Sequence, residues 1–419
     1  MPSPFRRPRR AQGRTVAALC RWRCRHGRAP DLFRRGRQRA CRLSQRLADD
    51  DPGRRPQLHA SRGRAPPARC LAQDRRAVRS LILALALVAA MPAGAETCLR
   101  GVNLSGAEFG DLPGKVDTDY TYPSEQAIQR LGKLGMSAVR LPFRWERLQP
   151  QLNGSLEIME LAYLDQTVRR IEEAGLVAII DLHNYGYYAK KQLGSAELPA
   201  AALADVWGKL AQHYRDRPKL VFSLMNEPYD INSADWAKIQ NTAIAAIRKA
   251  GAKQLLLVTG TAFGGAHSWT SDLPVGNNGR DLLGVVDPLD RYAYDFHQYL
   301  DADYSGRAPE CSAAAGALKG IDDVTAWLKT HGRRGFLGEF AASNRPECLT
   351  ALRQMVTKLD ASPQQWLGWA AWGAGAWWPA DYVFNLDPTP AGERPQMKVL
   401  LERFKAKRPT AVCGREAKP

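Results

Sequence analysis

The sequence predicts a closed (β/α)8 barrel of the TIM type in a single domain, and three observations predict it. Eight apolar strand-like runs alternate with helical patterns between residues 98 and 413. Polar, ionisable or aromatic side chains stand at the ends of most of those runs. No linker rich in Pro, Ser and Thr sets off a second module.

The first strand is expected at Leu99–Leu104. A helix from Ser124 to about Leu134 follows, with Ser124 as its N-cap and Pro123 marking the turn before it. The second strand, Ser137–Leu141, ends in Arg140-Leu141-Pro142-Phe143. Leu161–Ala174 is helical because Leu161, Leu164, Val168 and Ile171 recur on one face, and Gly175 sits where a C-cap glycine belongs. Leu176–Leu182 is the third strand and runs into His183-Asn184. A helix through Ala200–Tyr214 leads to the fourth strand, Leu220–Met225, and another through Ser233–Lys249 leads to the fifth, Gln254–Val258. After a long Gly-rich loop, Tyr292–Tyr299 is the sixth strand. Helix Ile321–His331, strand Arg334–Glu339, helix Cys348–Leu359 and strand Trp366–Trp372 complete the alternation, and Met397–Phe404 closes the chain.

Charge divides the chain unevenly. Residues 1–95 hold 23 Arg, no Lys and 5 Asp, a surplus equal to the net charge of +18 carried by the whole chain. Residues 96–419 are therefore formally neutral, which argues against nucleic acid as a partner. Residues 81–90 form an apolar run, preceded by Arg75, Arg76 and Arg79 and followed by Ala93-Gly94-Ala95. That is the pattern of a secretory signal peptide, expected at residues 78–95, and it is too short for a membrane span. Residues 1–77 look like translation of an upstream Arg-rich region, with Val78 as the expected initiator. The rival is an authentic Arg-rich arm that binds nucleic acid. The expected product is a secreted catalytic domain over residues 96–419, monomeric and free of membrane once cleaved.

Cysteine usage agrees with export. Beyond the upstream segment lie Cys98, Cys311, Cys348 and Cys413, which allow three pairings. Cys311 and Cys348 flank the sixth-to-seventh strand region, and Cys98 and Cys413 lie at the chain ends, so Cys311–Cys348 with Cys98–Cys413 is expected. No Cys/His cluster suggests a metal site, and no cofactor is expected. A G-x-S-x-G elbow is absent, and Gly373-Ala374-Gly375 lacks the third glycine of a dinucleotide loop.

Two strand ends carry the chemistry. Val221-Phe222-Ser223-Leu224-Met225 stops at Asn226-Glu227-Pro228, where a proline cannot continue a ladder. Gly335-Phe336-Leu337-Gly338-Glu339 places a second carboxylate at a strand end 112 residues later. A single strand-end Glu is as often a solvated charge as a catalyst; two, at the site-bearing face of a barrel, fit the paired carboxylates of glycoside hydrolysis. Arg140, His183, His297, Tyr299 and Trp372 occupy the other strand ends. Trp377 and Trp378, just beyond, are candidate sugar platforms, as are Trp145, Trp269, Tyr187 and Tyr188.

With these segments in view, the chain resembles glycoside hydrolase family 5. The resemblance covers residues 98–413 and rests on Val139-Arg140-Leu141-Pro142, Leu182-His183-Asn184, Met225-Asn226-Glu227-Pro228, Phe296-His297-Gln298-Tyr299, Leu337-Gly338-Glu339-Phe340 and Ala371-Trp372-Gly373-Ala374-Gly375. Tyr299-Leu300-Asp301, with Glu310-Cys311 and Cys348, looks like its endo-β-1,4-glucanase (cellulase) branch. The resemblance implies a retaining enzyme acting on β-glucan, with Glu227 as acid/base and Glu339 as nucleophile. Arg140 and Tyr299 would hold Glu339 as the carboxylate, Asn226 would donate to the sugar 2-hydroxyl, and His183 and His297 would serve the acid/base and the ring hydroxyls. Phe340 departs from the small residue or Thr that many relatives carry. A β-1,4-mannanase or xyloglucanase is the rival within the class, and an inactive polysaccharide-binding protein the rival outside it.

Overall fold

The computed structural model describes residues 99–405. The Arg-rich segment, the expected signal peptide and the expected Cys98–Cys413 bridge lie outside those residues.

Eight parallel strands close into a barrel in sequence order: β1 (Leu99–Leu104), β2 (Ala138–Phe143), β3 (Val177–Leu182), β4 (Val221–Ser223), β5 (Leu255–Thr259), β6 (Tyr292–His297), β7 (Gly335–Glu339) and β8 (Trp366–Ala374), which pairs back to β1. The intervening helices are α1 (Glu125–Lys133), α2 (Ile158–Glu173), α3 (Ala200–Tyr214), α4 (Ser233–Lys249), α5 (Ala314–Thr330) and α6 (Pro346–Ala361), with α7 (Pro395–Lys405) last. Short helical turns, among them Asn278–Asp281, replace a long helix between β5 and β6. Ser124 caps α1 by accepting from the Ala127 N–H, 3.2 Å. None of the helices among the described residues is long and apolar enough to cross a membrane.

Strand side chains alternate between two cores. One set faces the helices: Val139, Leu141, Ile180, Phe222, Leu256, Tyr294 and Leu337 pack there with Trp207, Trp236 and Trp327. The other set fills the barrel interior, where Ala138, Ile179, Val221, Leu257, Ala293, Phe336 and Ala370 form an apolar floor. Two residues further along the same inward rows stand Arg140, Asp181, Ser223 and Asp295. The interior thus turns from apolar to ionic within one step of the pleat, towards the strand ends.

Among the boundaries that differ from expectation, three show why. β2 continues through Pro142, because β1 pairs with it only as far as Arg140 and leaves the proline no ladder bond to forfeit on that side. β4 ends at Ser223 rather than Met225, where the chain turns to present Asn226 and Glu227. α5 begins at Ala314, well before Ile321: Gly316 and Gly320 weaken its helical signal, yet a Cβ at Gly320 would meet the His267 backbone at 2.7 Å. A disulfide joins Cys311, in the loop after β6, to Cys348 on α6, with the Cα atoms 5.5 Å apart.

The loop after β1 is organised by one side chain. Arg147 donates to the carbonyls of Ala107 (2.8 Å), Phe109 (2.6 Å) and Pro113 (2.9 Å) and lies 3.8 Å over the Tyr120 ring.

Candidate active site

Arg140 is the centre of the ionic layer. It is fully buried, and its guanidinium reaches four other segments: Asn103 Oδ1 on β1 (2.8 Å), Asp181 Oδ1 on β3 (3.0 Å), Asn226 Oδ1 after β4 (2.9 Å) and Glu339 Oε1 at the end of β7 (2.7 Å). The planar fork of guanidinium donors suits this many acceptors at once. Asn103 in turn donates to the carbonyls of Gly338 (2.9 Å) and Ala370 (3.1 Å), tying β1 to β7 and β8.

Glu339 uses both oxygens. Arg140 holds one, and the Tyr299 hydroxyl donates to the other at 3.0 Å. Burial pushes its carboxyl up, but His297, Arg140 and His183 outweigh it and hold the group below the usual carboxylate value. His297 lies between the two glutamates, its Nδ1 2.7 Å from Glu227 Oε1 and 3.6 Å from Glu339 Oε2. Burial works against its charge, yet Glu339 and Glu227 raise it to about 9. It is therefore an imidazolium at neutral pH, and Nδ1–H donates to Glu227.

One oxygen of Glu227, a ring nitrogen of His297 and one oxygen of Glu339 all lie within 4.8 Å of one another. Within this trio the His297–Glu227 contact is a hydrogen bond, and Glu339 stands 3.6 Å from the same ring nitrogen. The Glu227 backbone has a φ of 41°, in the left-handed region that is uncommon for a side-chain-bearing residue. Asn226 accepts from Arg140 through its oxygen, and its amide nitrogen is buried and without a partner among the described residues.

The cellulase sequence profile, glycosyl hydrolase family 5, matches residues 92–375. The chain belongs to glycosyl hydrolase family 5. It is similar to endo-β-1,4-glucanase B of Emericella nidulans, at 34% identity over 78% of this chain and 99% of that one. Among solved structures it resembles XacCel5A in complex with cellopentaose (43% identity, TM-score 0.72, 73% of this chain and 99% of that). It likewise resembles the endo-β-1,4-glucanase Xac0029 from Xanthomonas axonopodis pv. citri (40% identity, TM-score 0.71, 73% of this chain and 98% of that).

In this family 5 glycoside hydrolase, Arg140, Asn226, Tyr299 and Glu339 form one hydrogen-bonded network, and the His297–Glu227 pair meets it through the 3.6 Å contact of His297 with Glu339. His183 joins it through Asp181, to whose Oδ2 its Nδ1–H donates at 2.8 Å, while Nε2 faces the Tyr185 hydroxyl at 3.2 Å. Trp372 stacks on the His183 ring at 5.8 Å and 17°, and its indole N–H donates to Tyr382 at 3.1 Å. Trp377 stacks on Phe109 (5.5 Å, 15°), while Trp378 stacks on Tyr382 (4.0 Å, 13°) and packs edge-on against Trp372 (5.7 Å). Trp145 and Trp269 are no platforms: both are buried in the helix-facing core, Trp145 beside Tyr188 and Trp269 beside Phe296.

Sequence reasoning passed over several residues. Asp181 and Asp295 each stand two positions before a site histidine, on the same inward row, and that parity was the available signal. Asp295 is pushed by burial to about 6 and lies beneath Gly338, where a Cβ would come 2.2 Å from its Oδ1. Glu108, in the loop after β1, has no such signal. It is 4% exposed; one oxygen accepts from the Gly106 N–H at 2.7 Å, and the other has no partner among the described residues. Burial, opposed by His183, pushes it up to about 7.

Proposed function

We propose that this hydrolase cleaves internal β-1,4 bonds of glucans with retention of configuration, by two displacements. The observation that carries the reading is the approach of Glu227 and Glu339 oxygens to within 4.8 Å. Retaining enzymes keep their carboxyl groups about 5–5.5 Å apart, whereas inverting ones leave about 6.5–9.5 Å for a water. Two further facts support it. The environments differ, Glu339 being gripped by Arg140 and Tyr299 while Glu227 touches a cationic imidazole. The relatives are named endo-β-1,4-glucanases, and a structural neighbour was solved with cellopentaose.

In the first step a Glu339 oxygen attacks the anomeric carbon. The bond to the departing O4 breaks with its electron pair on that oxygen, which takes a proton from Glu227. That proton comes from His297: substrate expels water, and a drier site favours imidazole plus carboxylic acid over imidazolium plus carboxylate. In the second step Glu227, now a carboxylate, takes a proton from water while the water oxygen displaces Glu339. The free amide nitrogen of Asn226 donates to the 2-hydroxyl, a contact that strengthens as charge develops on the ring. Trp372, backed by His183, supplies an apolar face for a sugar.

The test has two arms. Activity on β-glucan and carboxymethylcellulose, against mannan and xyloglucan, decides the substrate. Proton NMR of fresh hydrolysate decides the stereochemistry. The β-anomer should appear first; initial α-anomer would mean a single displacement and end the assignment of Glu339. With azide, Glu339→Ala should give an α-glycosyl azide and Glu227→Ala a β-glycosyl azide.

A further inference from the structure

We propose that Asp295 is a positioning residue that acts through its two neighbours, seating Glu339 opposite His297 and keeping the transferable proton on His297. The role depends on Glu227 being the acid and Glu339 the nucleophile. Asp295 and His297 stand two residues apart on β6, so both side chains point into the barrel, Asp295 one step deeper. Folding alone does not account for a carboxyl here. It is 1% exposed, Oδ1 has no partner among the described residues, and Oδ2 has the Ser223 hydroxyl at 3.5 Å. That hydroxyl has one proton to give, and Asp181 Oδ1 is closer at 2.9 Å. An apolar side chain would fill the same place at lower cost, so a carboxyl left short of donors marks a functional group.

The backbone of β7 passes directly over this carboxyl. A Cβ at Gly338 would come 2.2 Å from Oδ1 and 2.8 Å from Oδ2. β6 and β7 pair Phe296 with Leu337 and then His297 with Glu339, which leaves Gly338 as the extra residue of a bulge. The bulge brings Glu339, rather than Gly338, level with His297. Asn103 fastens it by donating to the Gly338 carbonyl at 2.9 Å. The nucleophile is thus set by a glycine that rests on Asp295.

The second effect is electrostatic. The charged groups facing Asp295 are Arg140 on β2, Asp181 on β3, His297 on its own strand and Glu339 on β7. Ser223 on β4 and Thr259 on β5, whose hydroxyl donates to the Asp295 carbonyl at 3.1 Å, are neutral. Burial, opposed by Arg140 and His297, puts the Asp295 carboxyl at about 6. It is therefore neutral at the acid limb of activity, where Glu339 loses its proton. At the alkaline limb, where His297 loses the proton destined for Glu227, it is ionised and favours the imidazolium.

The test is the pH profile of kcat/KM on cellopentaose. Asp295→Asn keeps the shape beneath Gly338 and removes the charge, so the alkaline limb should move down by about one unit while the acid limb stays. Gly338→Ala should lower kcat about a hundredfold, but cost less than about twofold further once Asp295→Ala has emptied the seat. A uniform loss with both limbs in place, or an undiminished cost of Gly338→Ala, would overturn the proposal. Wild type alone also decides it, should a variant not fold: the His297 ring signal in NMR should shift in a step near pH 6 before its own titration at about 9, and a single step would overturn the proposal. A wild-type enzyme inactive on cellopentaose, or one releasing the α-anomer first, would refute the glucanase reading and this role with it; an active, retaining enzyme with unmoved limbs in Asp295→Asn would refute this role alone.

Discussion

Replacing Glu108 by Gln should flatten one part of the pH dependence of stability. The carboxyl is buried, has one unsatisfied oxygen, and is pushed from 4.5 to about 7. The folded chain therefore binds this proton more tightly than the unfolded one does. The resulting stabilisation is whole below about pH 4.5 and drains away as pH rises through about 7. The gap between the two values corresponds to about 3 kcal/mol in full, most of it falling between pH 5 and pH 8. Gln keeps the shape and an acceptor for the Gly106 N–H but does not titrate. Equilibrium urea unfolding of both proteins at several pH values measures the effect, since titrating groups that do not interact with Glu108 cancel in the difference. Wild type minus variant should fall by roughly 2–3 kcal/mol from pH 5 to pH 8. A difference constant to within about 0.5 kcal/mol would show that Glu108 is not held protonated, and the reasoning from burial would fail with it.

Three other outcomes are expected. Mass spectrometry of the exported protein should find Glu96 at the N-terminus; peptides from residues 1–70 in that sample would refute both the cleavage and the start at Val78. Opening the Cys311–Cys348 bridge by a double Cys→Ser replacement frees a separation of 37 residues and should cost about 4 kcal/mol in the chain-entropy account, read from the urea midpoint at unchanged slope. Arg140→Lys keeps the charge but not the fork that meets four acceptors, and kcat should fall about a hundredfold; an unchanged kcat would mean that Glu339 needs only a nearby cation.

The strands and the two glutamates were legible because both rest on local pattern: apolar runs of strand length, each broken by a polar residue. The ionic layer was less so. Arg140 was visible at its strand end, but its partners Asn103, Asp181 and Asn226 come together only when β1, β3 and β4 are placed side by side. Counting inward parity along each strand would have named Asp181 and Asp295, since each shares a row with the histidine that follows. Glu108 lies in a loop, where no period exists. Its surroundings depend on Arg147, distant in sequence.

On the proposed mechanism, the grip of Arg140 on four segments makes catalysis a gauge of barrel integrity. Glu339 is held ionised partly by a cation that is itself positioned by β1, β3 and the end of β4. A chain in which any of those segments has come away retains both acids but not the contact that holds Glu339 ionised. Turnover therefore reports closure of the whole ring, not the presence of the two glutamates. In refolding it should return last, after helical signal and core burial, and partly opened forms should be inactive long before they are unfolded. A residue that serves stability and chemistry together leaves little room to improve one without touching the other, so engineering for heat resistance is better aimed at the outer helices than at the layer beneath the site.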